Sequence, residues 1–362
     1  MSQKMLCHIC AWLVTPQNLL EISKPMKEFY HKIIITNLPS FYKINLYNEI
    51  NRHCRVLVVY TNDGAQGRNN DFFKGEAQFD YVDLKSNKFV RIFQLIKIIS
   101  KIKHDELILS GWDSLPLWIG AITSPKRKNA LVIESSYIES STEGFKGFIK
   151  RRFVGRISKV YASGAAQRKV TDTLGFKGKT IITKGVGVFD YIKQPPYTPR
   201  QEVKNFLYVG RLTNVKNLEY LIEKFNHHPE LTLRIIGFGE LEERLKGIAN
   251  TNIEFLGAID NNKLRSYYQD ADVFVLPSIS EAWGLVVEEA LNNGTPVMVS
   301  DRVGCAEEII TPDNGVIFSL DPDNFEEQLL KIRDVATYNS MRQNIAKMDF
   351  AAIEEYQVNC YL

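Results

Sequence analysis

The sequence predicts an α/β protein made of two doubly wound parallel-sheet units. Strand-like apolar runs alternate with amphipathic stretches of helical spacing through both halves, the pattern of parallel sheets wrapped by helices. That alternation restarts after Gln194-Pro-Pro-Tyr-Thr-Pro199, whose three prolines lack amide donors and resist helix. The chain has 362 residues, 44% of them hydrophobic and 24% charged, enough to bury two domain cores.

In chain order, the first half offers strands at Lys32–Thr36, Arg55–Tyr60, Glu106–Ser110, Ala130–Glu134, Lys159–Ala162 and Thr180–Thr183. The second half offers Asn205–Val209, Thr232–Ile236, Ile253–Leu256, Val273–Leu276 and Pro296–Val299. Short continuous runs of Ile, Val and Leu suit strands buried on both faces. The expected division is a first domain over 1–196, a second over 200–340, and a helical segment over 341–362 that packs back on the first. No internal repeat or low-complexity tract interrupts it.

The five cysteines are odd in number and scattered, which argues against a disulfide framework and fits a reducing cytosol. The apolar stretch Met5–Val14 is broken by His8 and is too short to span a bilayer, so no signal peptide and no transmembrane helix are expected. The overall charge of +3 hides an asymmetry. Residues 1–200 carry 31 Lys and Arg against 16 Asp and Glu, whereas residues 201–362 carry 14 against 26. A basic half points to an anionic partner: a membrane surface, a lipid phosphate or a nucleic acid.

The chemistry concentrates in Leu276-Pro-Ser-Ile-Ser-Glu-Ala-Trp-Gly-Leu-Val-Val-Glu-Glu-Ala-Leu-Asn-Asn-Gly-Thr-Pro296. A strand ends at Leu276, a loop carries Ser278 and Glu281, and a helix runs from about Gly284 to Asn293, with Gly294 as its cap. The first amides of that helix, at Gly284, Leu285 and Val286, and the positive end of its dipole make an anion site suited to a diphosphate. Glu289, more than a turn further in, is placed to accept hydrogen bonds from vicinal hydroxyls such as those of a ribose, while Glu281 faces the sugar side. Upstream, Gly210, Arg211 and Lys216 follow another strand at the carboxyl edge where doubly wound sheets bind ligands. Two cations there neutralise a diphosphate, Arg as a planar fork and Lys as a compact charge. A strand-loop-helix unit with a charged surface is the plainer reading of the glutamates taken alone.

With these residues in place the sequence resembles the retaining glycosyltransferases of the GT-B fold, family 4, over nearly its whole length and most strongly from Phe206 to Val316. The family's Glu-x7-Glu element matches Glu281 and Glu289, and its phosphate-binding Arg and Lys match Arg211 and Lys216. Gly237-Phe-Gly239 matches the glycine turn of the nucleotide pocket, and Phe255-Leu-Gly-Ala-Ile259 the strand and loop whose backbone reads the base. The resemblance implies two Rossmann-like domains facing each other across a cleft. It also implies a nucleoside-diphosphate sugar as donor, with UDP favoured over GDP, and a hydroxyl acceptor in polysaccharide, lipopolysaccharide or glycolipid assembly. Transfer would retain the anomeric configuration without an enzymic nucleophile, and the main catalytic duty would fall on Arg211, Lys216 and Glu281. No metal or other cofactor is expected. In the first half Ser40 and Phe41 occupy the region where many members carry a glycine pair, and Glu134-Ser135-Ser136 stands where a histidine is frequent. Ser40, Phe41 and Glu134 are therefore the acceptor-side candidates, Glu134 being equally readable as a paired structural carboxylate.

Other signals weigh less. Asp270-Ala-Asp272 has metal-like spacing, and so does Cys7-His-Ile-Cys10, but the latter lacks the second ligand pair a zinc site needs. The run Gly144–Lys159 has six cations and no acid among apolar residues, which fits either a solvated amphipathic helix or peripheral attachment to the inner face of the cytoplasmic membrane. The similar stretch Lys88–Lys103 has more isoleucines and is expected to pack in the core. A nucleotide-sugar epimerase of the same architecture is the competing enzyme class. A nucleic-acid-binding role finds no aromatic-and-basic or helix-turn-helix signature.

Overall fold

The computed structural model describes residues 21–22, 26–62, 75–84, 87–188 and 196–362. The candidate Cys7-His8-Ile9-Cys10 and the stretch Met5–Val14 lie outside them. Fourteen strands form two sheets among the described residues. The first sheet contains β1 (Glu21–Ile22), β2 (Phe29–Thr36), β3 (Val56–Tyr60), β4 (Asp80–Asp83), β5 (Lys103–Ser110), β6 (Asn129–Ile133), β7 (Lys159–Ala162) and β8 (Lys179–Ile182). The second contains β9 (Asn205–Val209), β10 (Thr232–Ile236), β11 (Ile253–Gly257), β12 (Val273–Leu276), β13 (Val297–Ser300) and β14 (Gly315–Phe318).

The first sheet runs in the order β1-β4-β3-β2-β5-β6-β7-β8, parallel apart from the antiparallel pair β1 and β4. The second runs β11-β10-β9-β12-β13-β14 and is parallel throughout. Strands such as Val56–Tyr60, Val273–Leu276 and Val297–Ser300 are buried at every position, because helices cover both faces. On one face of the first sheet the helices Lys88–Lys101, Leu115–Thr123 and Gly144–Val154 share a core with β2, β5 and β6, through residues such as Leu95, Ile98, Leu117 and Phe153. On the other face lie the helix Phe41–His53 and, through Val358 and Tyr361, the end of the chain.

Both sheets reverse strand order at one place, between β2 and β5 in the first and between β9 and β12 in the second. Loops diverge at the carboxyl ends of such neighbours and leave a crevice. Ser40 follows β2 at the first of these places, and Arg211, Lys216 and Glu281 follow β9 and β12 at the second.

Residues 196–199, the described part of the proline-rich segment, are exposed. The acid-free run Gly144–Lys159 is not one helix: the helix stops at Val154, Ile157 is buried, and β7 begins at Lys159. The stretch Lys88–Lys103 buries only one side. Leu95, Ile98 and Ile99 are inside, as expected of core packing, while Phe89, Phe93 and Ile96 form a second apolar side that is exposed.

Candidate functional site

The loop after β9 begins at Gly210 and Arg211, then closes a single 3₁₀ turn, Asn214–Lys216, that raises Lys216 beside β12. The loop after β12 carries Glu281, whose backbone forms an isolated parallel bridge to Val303 and accepts from Gly304 N–H at 3.0 Å. Lys216 and Glu281 meet as an ion pair, with side chains 13% and 19% exposed, so they are shielded yet reachable. Ser278 is fully buried, its hydroxyl directed at Glu281 Oε2 at 3.5 Å.

The loop ends at Gly284, whose φ of +104° is a left-handed conformation that glycine adopts without strain. This bend starts the helix Leu285–Asn292, whose first turn closes from Val287 N–H to Gly284 C=O. The amides ahead of Val287 lie outside the helical ladder and point with the dipole toward the cleft.

A cleft of about 580 Å³ opens between the two domains. Its second-domain wall includes Gly210, Arg211, Lys216, Gly237, Phe238, Ile259, Glu281, Trp283, Gly284, Leu285 and Val286, and its first-domain wall Tyr42, Glu134 and Val186. Arg211 is exposed. A smaller cavity of about 190 Å³ sits over the β2/β5 reversal, lined by Thr36, Ser40, Tyr42, Lys43, Ser110, Trp112, Asp113 and Glu134 among others. Tyr42 and Glu134 line both spaces.

Ser40 therefore sits in the first-domain cavity, whereas Phe41 packs against the second domain's core. Glu134 stands one residue past the end of β6 and is ion-paired to Lys43. Lys43 is buried, which alone would lower its pKa, but the Glu134 charge together with Tyr47, Tyr361 and Tyr42 holds it above the ordinary lysine range.

Three donor-side candidates stand behind the residues that line the cleft. Glu289 does not line the cleft; its Oε2 accepts the Tyr268 hydroxyl at 2.9 Å, and burial pushes its carboxyl up to about 7. Ser278 acts beneath Glu281 rather than in the wall. Gly239 packs on the Leu212 carbonyl, where a side chain would collide, and is also outside the lining. Asp272 is occupied structurally: its Oδ2 accepts the amides of Lys204 and Asn205 at 2.9 Å, and Arg200 lies against its other oxygen at 3.4 Å. Among the described residues no group of three or more His, Cys, Asp or Glu is arranged to hold a metal ion.

The sequence reading missed Lys43, Tyr42, Trp283 and Glu139. Lys43 was findable, since it shares a helical face with Leu46, Tyr47 and Ile50, all buried. Glu139, on the loop after β6, faces Glu281 and Ser280, and burial followed by the Glu281 charge raises its carboxyl pKa. Nothing in the local pattern marks that residue.

Two doubly wound domains with opposed strand-order reversals and a shared cleft define the GT-B fold. Comparison with known proteins agrees with that class. The family model for glycosyl transferases group 1 matches residues 192–348. The chain is 28% identical to an uncharacterized glycosyltransferase of Methanocaldococcus jannaschii over 56% of its own length and 53% of that protein's. It is 30% identical to the O-antigen biosynthesis glycosyltransferase WbnH of Escherichia coli over 55% of its length and 56% of that protein's. It thus spans about half the length of these curated relatives. Among solved structures, Anabaena HepE in complex with UDP-glucose superposes with a TM-score of 0.66 at 16% identity, covering 91% of this chain and 98% of that one.

Proposed function

We propose that this protein is a retaining glycosyltransferase of family 4 that moves a sugar from a nucleoside-diphosphate sugar, UDP-linked in preference to GDP-linked, to a hydroxyl acceptor in polysaccharide, lipopolysaccharide or glycolipid assembly. The observation that carries this reading is the convergence of Arg211, Lys216, Glu281 and the amides of Gly284, Leu285 and Val286 on one wall of the interdomain cleft. As the glycosidic bond to the diphosphate breaks, negative charge grows on the departing oxygens. Cations and helix amides already aimed at that spot stabilise it without reorganisation. Glu281, shared between Lys216 and the cleft, orients sugar hydroxyls. Glu134 and Ser40 face the acceptor side. The relatives' association with O-antigen biosynthesis and the UDP-glucose complex of the HepE structure support the donor and pathway class.

Arg211→Ala and Lys216→Ala are each expected to lower turnover roughly a hundred- to thousand-fold, since loss of one such charge-stabilising group typically costs about 2.7–4 kcal/mol of barrier. Transfer of radiolabelled sugar from UDP- and GDP-sugars to a hydroxyl acceptor checks this, and near-normal turnover in both variants would defeat the assignment. Because these groups already bring positive charge to the diphosphate, activity is expected to persist in EDTA. The acceptor is proposed to be lipid-linked, with the basic first domain peripherally attached to the cytoplasmic face of an anionic membrane.

A further inference from the structure

We infer that the outer surface of the first domain's helical layer docks on an anionic bilayer by inserting the rings of Phe89, Phe93, Phe145 and Phe148, rather than by charge alone. This deepens the membrane part of the proposed function and rests on it.

The helices Lys88–Lys101, Leu115–Thr123 and Gly144–Val154 form one continuous layer. Trp118 packs edge-on against Phe153 at 4.9 Å, and the Arg156 guanidinium donates to the carbonyls of Ala121 and Ile122. The first helix is apolar on two sides. Leu95, Ile98 and Ile99 enter the core, whereas Phe89, Phe93 and Ile96, spaced as one helical face, are 85%, 69% and 39% exposed. The third repeats the arrangement, with Phe145, Phe148 and Ile149 at 77%, 49% and 37%. Between them Ile122 is 60% exposed. Burial in this domain explains none of these positions, and clustered exposed aromatic and aliphatic side chains mark an interaction surface.

Charge selects the occupant. No Asp or Glu occurs from Leu84 to His104, from Ser114 to Ile133, or from Gly144 to Thr171, so these helices hold nothing that repels an anionic headgroup. Lys88, Lys97, Lys101 and Lys146 are exposed around the rings, the arrangement of an interfacial helix face. The cations nearer β7 are less available. Lys150 donates to Ser140 and Ser141 and lies over the Trp112 ring, Arg151 donates to Thr142, and Arg156 is bound as above. Attachment through those side chains alone would compete with bonds inside the protein.

The test uses the full chain in co-sedimentation with vesicles of phosphatidylglycerol and phosphatidylcholine, or of phosphatidylcholine alone, at low and high salt. Binding is expected to need the anionic lipid, to weaken without vanishing in high salt, and to fall roughly tenfold or more in Phe89→Ser/Phe93→Ser and in Phe145→Ser/Phe148→Ser. Hydrogen exchange on the wild type, which needs no variant, is expected to slow in Lys88–Lys101 and Gly144–Val154 when vesicles are added. Salt-abolished binding that ignores all four substitutions would overturn the inference. So would an absence of vesicle binding together with a dimer in light scattering that the same substitutions dissociate, which would mean that a second copy covers this face. Calorimetry with UDP and GDP separates the two readings. Vesicle binding with neither UDP nor GDP binding would count against the transferase alone, and nucleotide binding without vesicle binding against the docking surface alone.

Discussion

Glu288 and Glu289 are consecutive on the helix that opens onto the cleft, and their enclosure gives the protein a specific pH dependence. Burial, reinforced by its neighbour's charge and opposed by the Trp283 N–H, pushes the Glu288 carboxyl up to about 8; burial pushes Glu289 up to about 7. Between the ordinary glutamate range and these values the folded state holds protons that the unfolded chain has released, so both groups make stability fall as pH rises through that window. Glu288→Gln removes one contribution. The variant is expected to unfold near the wild-type temperature at pH 5 and a few degrees above it at pH 8.5, as followed by circular dichroism; parallel curves would refute the burial argument. The Lys43 and Glu134 pair behaves differently because its members are unequally buried, with side chains 8% and 31% exposed. Glu134→Gln strands a buried ammonium, a change that costs up to about 3–5 kcal/mol, whereas Lys43→Met leaves a carboxylate that water can reach. Urea unfolding is expected to rank Glu134→Gln as the more damaging, and the opposite order would show that Glu134 is the residue that needs its partner. Arg211, Lys216 and Glu281 were legible in sequence because each lies in a loop that follows a strand end, at the sheet's carboxyl edge. Tyr42 and Trp283 were not, because their place in the cleft depends on how two separate domains meet.

Among the elements, the helix Ala165–Thr173 has a role its composition does not announce. It belongs to the first domain, yet Gln167 Nε2 donates to the Ala282 carbonyl at 2.7 Å, inside the loop that presents Glu281. Glu308 of the second domain returns the contact by accepting the Ala165 amide at 2.7 Å, at the helix's positive end. Gly304 permits the approach, since a Cβ there would stand 1.9 Å from the Ala282 oxygen and 2.8 Å from Gln167 Nε2. The loop is thus held from both domains. Gln167→Ala removes one buried hydrogen bond, worth about 0.5–1.5 kcal/mol. It is expected to lower turnover by roughly two- to tenfold while leaving calorimetric UDP affinity within about twofold. An equal loss in both would assign Gln167 to nucleotide binding instead. Strands wrapped on both faces, such as Val56–Tyr60 and Val273–Leu276, were readable as unbroken apolar runs. Asp80–Asp83 was not, because acids at both ends leave only Tyr81 and Val82 between them and only Val82 is buried, and Gly315–Phe318 follows a polar turn that hides so short a run. The helix Lys88–Lys101 packs on the core as expected, but its outer apolar side was not legible, because periodicity reports that a face is apolar and does not say what covers it.

At the scale of the whole molecule, the chain crosses between its domains and comes back. After the second sheet and the helices Phe325–Arg333 and Val335–Ile345, the helix Phe350–Cys360 returns to the first domain. There Val358 and Tyr361 join the core beneath β2, β3 and β6, and the Tyr361 ring stacks on Tyr161 at 4.4 Å and 22°. The Tyr356 hydroxyl donates to the Ile182 carbonyl at 3.0 Å, at the end of β8. A segment whose root packs on one domain and whose end is buried in the other fixes how their cleft walls face each other. Tyr361→Ala empties a fully enclosed aromatic position, and large-to-small changes of this kind cost about 3–5 kcal/mol. The loss falls on the first domain and on the coupling, since Tyr361 touches nothing in the second sheet's core. Calorimetric scanning of the wild type is expected to give one transition or two closely overlapping ones. In Tyr361→Ala a lower-temperature component is expected to separate, while the component that UDP shifts upward stays in place, because ligand stabilises only the unit that binds it. If UDP raised both components together in the variant, the C-terminal helix would not be what joins the two domains.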